Sequence, residues 1–570
     1  MRGAARRSPA ARRRYLTVAL GSVAVASLVA GAVVGSGGND SALRLARRFA
    51  AAWARGDYAE MYSTVDPNTQ RQLSPASFAA AYRRTGATAT AASLRFGAAH
   101  DAGHGTVALR ARVSTRVFGT IAATLRVPIS GTGANERVRW SRALLFPGLR
   151  AGESLRRSSS LPDRASLLTR DGKVLATGMP GAGGQRGSRL GAAATAITGT
   201  LGSIPKADRF FYDAAGYPAG ALVGQSGLER AFEARLAGAP GGELLAGARV
   251  LATARSRPAP PVRTTISSRI QSAAVAALGG RDGGVAVLRP KTGEILGLAG
   301  VPLSGLQPPG STFKMVTVTG VLEAHLATPR TQFPVRTAAT LSGVSLQNAN
   351  GESCGGTLAQ AFAQSCNSVF APLGARLGAG RLVDIARRFG FGEPPGIPGA
   401  ATSTIPPPNQ IPDELAAGST AIGQGEVQAT ALEMAIVAAT IGDTGSRPRP
   451  TLAAGTVRPP ATVTSPSVAR TVEHLMLDVV RNGTGTAAAI PGVRVAGKTG
   501  TAELRQTVCP QNQQNSSACA PNPKNTDAWF AAFAPAGHPR VAVGVLLVGA
   551  GAGGDTAAPV AHDVLVAALH

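Results

Sequence analysis

Three short patterns in the C-terminal half of this 570-residue chain combine residue types suited to acyl transfer. Ser311 and Lys314 stand three apart in "STFK", Ser365 and Asn367 two apart in "SCNSVF", and Lys498, Thr499 and Gly500 open "KTGTAE". A serine hydroxyl is a poor nucleophile at neutral pH and needs a base. Residues three apart on a helix share a face, so the Lys314 amine can reach the Ser311 hydroxyl. The amine must be largely neutral to act, and burial lowers a lysine's pKa. Arginine stays protonated and cannot serve. The chain carries 58 Lys and Arg together, and only six of these are lysine. A sequence so biased to arginine should keep lysine where a titratable amine is needed, and Lys314 fits that expectation.

Each pattern has a decoy. Ser-x-x-Lys recurs as "SIPK" from Ser203, but Pro205 disfavours helix at Ile204. Lys-Thr-Gly recurs at Lys291 in "LRPKTGEIL", where the preceding Pro290 predicts a hairpin turn. "STFK" instead follows "PPG" and runs into "MVTVTGVLEAHLA". That places Ser311 at a helix N-terminus, where free N–H groups favour developing negative charge. Lys498 falls within an apolar strand, and the flanking Gly497 and Gly500 allow another backbone to approach closely.

The surrounding pattern predicts how these residues are held. From residue 262 a helix, "SSRIQSAAVAALGG", precedes two strands, "GVAVLRP" and "EILGLAG". A long helical excursion follows, then strands "VRVAGKTGTAE", "DAWFAAFAP" and "RVAVGVLLVGA", and a closing helix, "APVAHDVLVAAL". This order predicts an antiparallel sheet layered with helices. Upstream, residues 41–150 read as an α+β unit of helices followed by alternating strands, and 155–260 as a second region ending in the proline-rich linker "RSRPAPPV". Residues 1–14 carry arginines and no acid, and 15–34 are twenty residues without a charge. As a helix that stretch spans about 30 Å, the thickness of a bilayer core, and the arginines before it place the bulk of the chain outside. A cleaved signal peptide is the alternative.

Taken in order, Ser-x-x-Lys, Ser-x-Asn and Lys-Thr-Gly match the serine transpeptidase and β-lactamase pattern. The chain resembles a class B penicillin-binding protein, a peptidoglycan D,D-transpeptidase, over most of its length. "RASLLTRDGKVLATG" resembles the family's Arg-Gly-x-Ile-x-Asp-Arg-x-Gly stretch, with Ala165 and Thr169 as departures. "GQSGLERAFEARLAG" resembles a box of the non-catalytic pedestal, and "AIGQGEVQATALEMA" and "NGTGTAA" resemble transpeptidase boxes. Residues 41–150 resemble the NTF2-like N-terminal domain of MecA-type members. The resemblance therefore implies a multidomain α+β chain: cytoplasmic tail (1–14), transmembrane anchor (15–34), NTF2-like domain (41–150), dimerisation or pedestal domain (155–260) and transpeptidase domain (262–570).

It also implies roles. Ser365 relays a proton toward the leaving group, and Asn367 orients the substrate amide and Lys314. Lys498 supplies positive charge and Thr499 a hydroxyl for the substrate carboxylate. The strand at Gly500 and Thr501 pairs with the peptide, and the N–H groups of Ser311 and Thr501 form an oxyanion hole. Implied partners are D-Ala-D-Ala stem peptides, β-lactams, the membrane and a membrane glycosyltransferase, with the protein a single-pass resident of the cell membrane and its catalytic domain outside the cytoplasm. A serine β-lactamase, a β-lactam sensor and a cell-wall scaffold are the competing readings. A class A enzyme would need a glycosyltransferase domain ahead of the transpeptidase.

The net charge of +27 invites a nucleic-acid reading. Against it, the sequence holds no zinc-finger spacing, no RNP-type stretch and no basic run with interleaved aromatics. Cys354, Cys366, Cys509 and Cys519 form two close pairs, which outside the cytoplasm predicts two local disulfides. Their spacing suits no metal, the histidines are scattered, and no cofactor is expected.

Overall fold

The structure, a computed structural model, describes residues 40–503 and 525–570. The apolar stretch 15–34 and the pair Cys509 and Cys519 lie outside the described residues. Among the described residues no helix is long and apolar enough to cross a membrane.

The chain divides into two compact units. The first draws on residues 40–83, 93–113 and 122–153, and the second holds 84–92, 114–121 and 154–570. Helices α1 (Asp40–Arg55), α2 (Tyr58–Ser63), α3 (Pro67–Gln72) and α4 (Pro75–Thr88) precede a sheet of β1 (Ala91–Asp101), β2 (Thr106–Thr115), β3 (Thr120–Ser130) and β4 (Arg137–Val138), paired in that order. The short helices start where an aspartate can cap them. Asp57 accepts from the Glu60 N–H and Asp66 from the Thr69 N–H. Phe49, Met61, Phe78, Leu109, Leu125 and Val127 form the buried core of the first unit, and the Trp140 indole donates to the buried Tyr82 hydroxyl at 3.0 Å.

The second unit begins with the antiparallel strands β5 (Leu155–Ser160), β6 (Gly241–Ala246) and β7 (Arg249–Ala254), with β6 in the middle. Beside them lies a buried charge network. Arg164 donates to Glu229 and Glu233, each at 2.8 Å, and Arg186 to Glu229 at 2.8 Å. The Arg186 and Glu229 side chains are 0% and 1% exposed, so each charge depends on its partner. Arg164 opens "RASLLTRDGKVLATG" and Glu229 and Glu233 lie in "GQSGLERAFEARLAG", whereas Arg186 lies between the two stretches.

The rest of the unit is layered. Helix α5 (Ser268–Leu278) leads into β8 (Gly283–Leu288) and β9 (Ile295–Gly300), with Lys291 exposed in the hairpin between them. The excursion contains α6 (Lys314–Glu323), α7 (Leu358–Ala363), α8 (Asn367–Leu377), α9 (Ala431–Gly442) and α10 (Pro466–Asn482). The chain returns through β10 (Ala496–Glu503), β11 (Thr526–Ala534) and β12 (Val541–Leu547) to α11 (Gly553–Leu569). The antiparallel sheet runs β9-β8-β12-β11-β10, so β10 is an edge strand.

Both faces of the sheet are covered, which is why β8 and β12 read as continuous apolar runs rather than alternating ones. One face packs against α5 and α11 through residues such as Ala274, Val560, Val564 and Leu565. Burying each of the larger aliphatic chains contributes about 1.5–3 kcal/mol. Helix α9 covers the other face so closely that a Cβ at Gly544 would lie 2.1 Å from the Ala431 carbonyl oxygen.

Candidate active site

Ser311 sits in a 3-10 turn, Gly310–Phe313, that leads directly into α6. Backbone contacts pin this turn on two sides. The Gly310 N–H donates to the Gly423 carbonyl at 2.9 Å, and a Cβ on Gly423 would come 2.1 Å from the Gly310 carbonyl oxygen. On the other side, a Cβ on Gly500 would lie 2.8 Å from the Pro309 carbonyl oxygen, and one on Gly310 2.8 Å from that of Thr501. Only glycine permits this approach, so Gly500 fixes the distance between the serine turn and β10. Ser311 is half-buried, and its hydroxyl makes no hydrogen bond among the described residues.

Lys314, on the first turn of α6, is fully buried. Its Nζ donates to the Ser365 carbonyl at 2.6 Å and to Asn367 Oδ1 at 2.7 Å, with Ser365 Oγ at 3.3 Å. Burial, and then the positive charge of Lys498, hold its pKa well below the usual lysine range. A neutral amine has two N–H donors and one lone pair. The two short bonds use the donors, and the lone pair is left for a proton.

Lys498 on β10 is also fully buried, and burial lowers its pKa from 10.5 to about 7. Its Nζ reaches the Thr499 carbonyl at 3.2 Å and Thr499 Oγ1 at 3.5 Å. The two ammonium positions each face an aromatic ring, Lys314 over Phe370 at 5.6 Å and Lys498 over Phe362 at 5.5 Å. The rings meet edge to face at 5.7 Å, and they favour the charged forms that burial opposes.

Ser365 and Asn367 flank the start of α8. Ser365 has φ +64°, a left-handed conformation that costs a non-glycine residue about 1–2 kcal/mol. This turns its carbonyl toward Lys314. Cys366, between the two motif residues, forms a disulfide with Cys354 on the strand Cys354–Thr357. The Asn367 amide donates to the Gln347 carbonyl at 2.8 Å.

The structure thus brings the segments carrying Ser311 and Lys314, Ser365 and Asn367, and Lys498, Thr499, Gly500 and Thr501 against one another, and Lys291 of the look-alike pattern stays in its hairpin. Thr501 lies on β10 opposite Ala528, and its Oγ1 accepts from the Gly553 N–H of α11 at 3.3 Å. Sequence reasoning did not single out Gly423, Phe362, Phe370 or Thr484, whose hydroxyl lies 2.5 Å from that of Thr499. "AIGQG" and "NGTGTAA" were visible as boxes, but nothing local in them says which neighbour they touch. No group of His, Cys, Asp and Glu among the described residues could hold a metal ion.

Three family models match the chain. The penicillin-binding protein transpeptidase domain matches residues 283–566, the penicillin-binding protein dimerisation domain 183–250 and the NTF2-like N-terminal transpeptidase domain 41–153. Peptidoglycan D,D-transpeptidase PbpA of Mycolicibacterium smegmatis is 35% identical over 412 residues, covering 60% of this chain and 79% of the relative. Peptidoglycan D,D-transpeptidase MrdA of Haemophilus influenzae is 28% identical over 60% of this chain and 62% of its own length. Among solved structures, penicillin-binding protein A from M. tuberculosis as an imipenem acyl-enzyme complex superposes with a TM-score of 0.55 at 28% identity, over 71% of this chain and 99% of that one. PBP2 of Pseudomonas aeruginosa in complex with WCK 5153 gives 0.61 at 26% identity, over 72% and 96%. Matches to all three family domains, together with 35% identity to PbpA over 79% of that relative's length, identify the chain as a member of the class B penicillin-binding proteins.

Proposed function

We propose that this chain is a peptidoglycan D,D-transpeptidase that cross-links stem peptides through an acyl-enzyme on Ser311. The observation that carries the assignment of roles is the environment of Lys314. It is a buried amine with its pKa driven down and both N–H groups occupied, one turn on from Ser311, whose hydroxyl makes no hydrogen bond among the described residues, to Lys314 or to any other group.

Ser311 Oγ attacks the carbonyl carbon of the D-Ala-D-Ala bond and gives its proton to Lys314. The C–N bond breaks, and a proton passed through Ser365 leaves with the terminal D-alanine. The amine of a neighbouring stem then attacks the ester, a new amide forms, and Ser311 recovers its proton. Edge strand β10 offers backbone groups to an extended peptide, and Lys498 and Thr499 supply charge and a hydroxyl for its carboxylate. The N–H groups of Ser311 and Thr501 stabilise the tetrahedral oxyanion. β-Lactams acylate the same serine, in keeping with the acyl-enzyme complexes of the M. tuberculosis relative.

The wider setting follows from sequence. Residues 15–34 anchor the chain in the cell membrane with its catalytic domain outside, residues 155–260 form the pedestal, and a membrane glycosyltransferase supplies the strands to be joined. Labelling with a fluorescent penicillin tests the chemistry. The unaltered chain should label and Ser311→Ala should not; equal labelling would overturn the assignment.

A further inference from the structure

We propose that Thr484 is a positioning residue that sets the direction of the Thr499 hydroxyl and so governs recognition of the substrate carboxylate. This rests on the transpeptidase reading above and adds a residue to it.

Thr484 follows α10 in the segment "NGTGTAA" and lies on neither the nucleophile's helix nor β10. Its backbone N–H donates to the Ala363 carbonyl at 3.1 Å, and its hydroxyl lies 3.4 Å from the same oxygen. That hydroxyl is also 2.5 Å from Thr499 Oγ1, where either atom can be the donor. Ala363 ends α7, two residues before Ser365. Thr484 therefore ties the segment carrying Ser-x-Asn to the strand carrying Lys-Thr-Gly.

Counting protons gives two arrangements, since each hydroxyl has one proton to donate. In the first, Thr499 donates to Thr484 and Thr484 donates to the Ala363 carbonyl, so the Thr499 proton is engaged. In the second, Thr484 donates to Thr499. Lys498 Nζ, at 3.5 Å, faces the same Thr499 oxygen as a second donor. The Thr499 proton is then the one left over for a carboxylate in the cleft. The first arrangement satisfies both hydroxyls in the free enzyme; the second presents a donor when the anion arrives. Switching needs only rotation of two O–H bonds, with no heavy-atom movement. Without the Thr484 hydroxyl, Thr499 loses both its resting acceptor and the donor that aims it.

Thr484→Val keeps the shape and the N–H bond to Ala363 while removing the hydroxyl; Thr484→Ser restores it. The full chain and both variants are acylated with benzylpenicillin and, separately, with its methyl ester, and the rate is read by loss of fluorescent-penicillin labelling. A hydrogen bond to a charged group is worth about a tenfold change in rate. Thr484→Val should lose about tenfold toward the acid and little toward the ester, and Thr484→Ser should recover the acid rate. An unchanged acid rate in Thr484→Val, or equal losses on acid and ester, would overturn the proposal while leaving the transpeptidase reading intact. Failure of the unaltered chain to label would overturn that reading and this one with it.

Discussion

Replacing Lys498 with methionine should stabilise the protein at neutral pH while abolishing its labelling by penicillin. The lysine is fully buried, and its proton affinity falls from an ordinary 10.5 to about 7 on folding. At about 1.36 kcal/mol for each tenfold change in proton affinity, this amounts to roughly 4–5 kcal/mol. The sign follows from which state holds the proton. Above about 10.5 the amine is neutral in both states and contributes nothing. As pH falls toward 7, the unfolded chain gains a proton that the folded chain does not, so folding weakens steadily; below about 7 the penalty is constant. Methionine fills a similar volume with no charge to bury, but it gives up the contacts to the Thr499 carbonyl and hydroxyl, worth about 1 kcal/mol each. The net expectation is a gain of roughly 2–3 kcal/mol near pH 7, shrinking to nothing or reversing by pH 10. Urea unfolding of both proteins across this range measures it. A variant less stable than its parent at pH 7, or a difference that does not shrink with rising pH, would refute the reasoning.

Two further substitutions probe what holds the cleft and the pedestal. In Gly500→Ala the new Cβ would meet the Pro309 carbonyl oxygen at 2.8 Å, Trp529 Cβ at 2.9 Å and Thr312 Cγ2 at 3.0 Å. The serine turn must move off β10, and acylation by benzylpenicillin should fall by about tenfold or more; a parental rate would show that this spacing is not critical. Arg186→Met leaves Glu229 buried with one guanidinium fewer and should cost about 3–5 kcal/mol in urea unfolding. A loss below about 1 kcal/mol would mean that Arg164 alone suffices.

Order and local context carried much of the site in the sequence. Ser311 and Lys314 share a helical face, and Pro205 removes the competing pair. Gly500 announces a close backbone approach before its partner is known, whereas Gly497, read the same way, instead makes room for the Phe530 ring. Alternation and apolar runs also conveyed the strands and the closing helix of the catalytic layer. What stayed hidden is what depends on contacts between distant segments. The rings under the two lysines come from α7 and α8, and an isolated phenylalanine in a helix carries no sign of the cation it will face. Thr484 is one of many threonines until α10 brings it against Thr499. The left-handed turn at Ser365 was equally silent, because a serine there runs against local preference and is held by its surroundings. The helix predicted to begin at Ser311 opens instead as a 3-10 turn, since Gly310 and Gly423 bend the backbone to bond across to each other.

The disulfide joins residues only 12 apart, yet the ring it closes is a mechanical hub. Within it lie Phe362 beneath Lys498, Ala363 bonded to Thr484, and Ser365 bonded to Lys314. A covalent loop of this size removes about 3 kcal/mol of chain freedom, and here that restraint falls on a segment that touches Lys314, Lys498 and Thr484. Reduction should therefore act like loosening a coupling in a gear train. The sheet and helices would keep their places while three settings that must agree drift independently, so the oxidation state during purification sets how much of a well-folded sample can react.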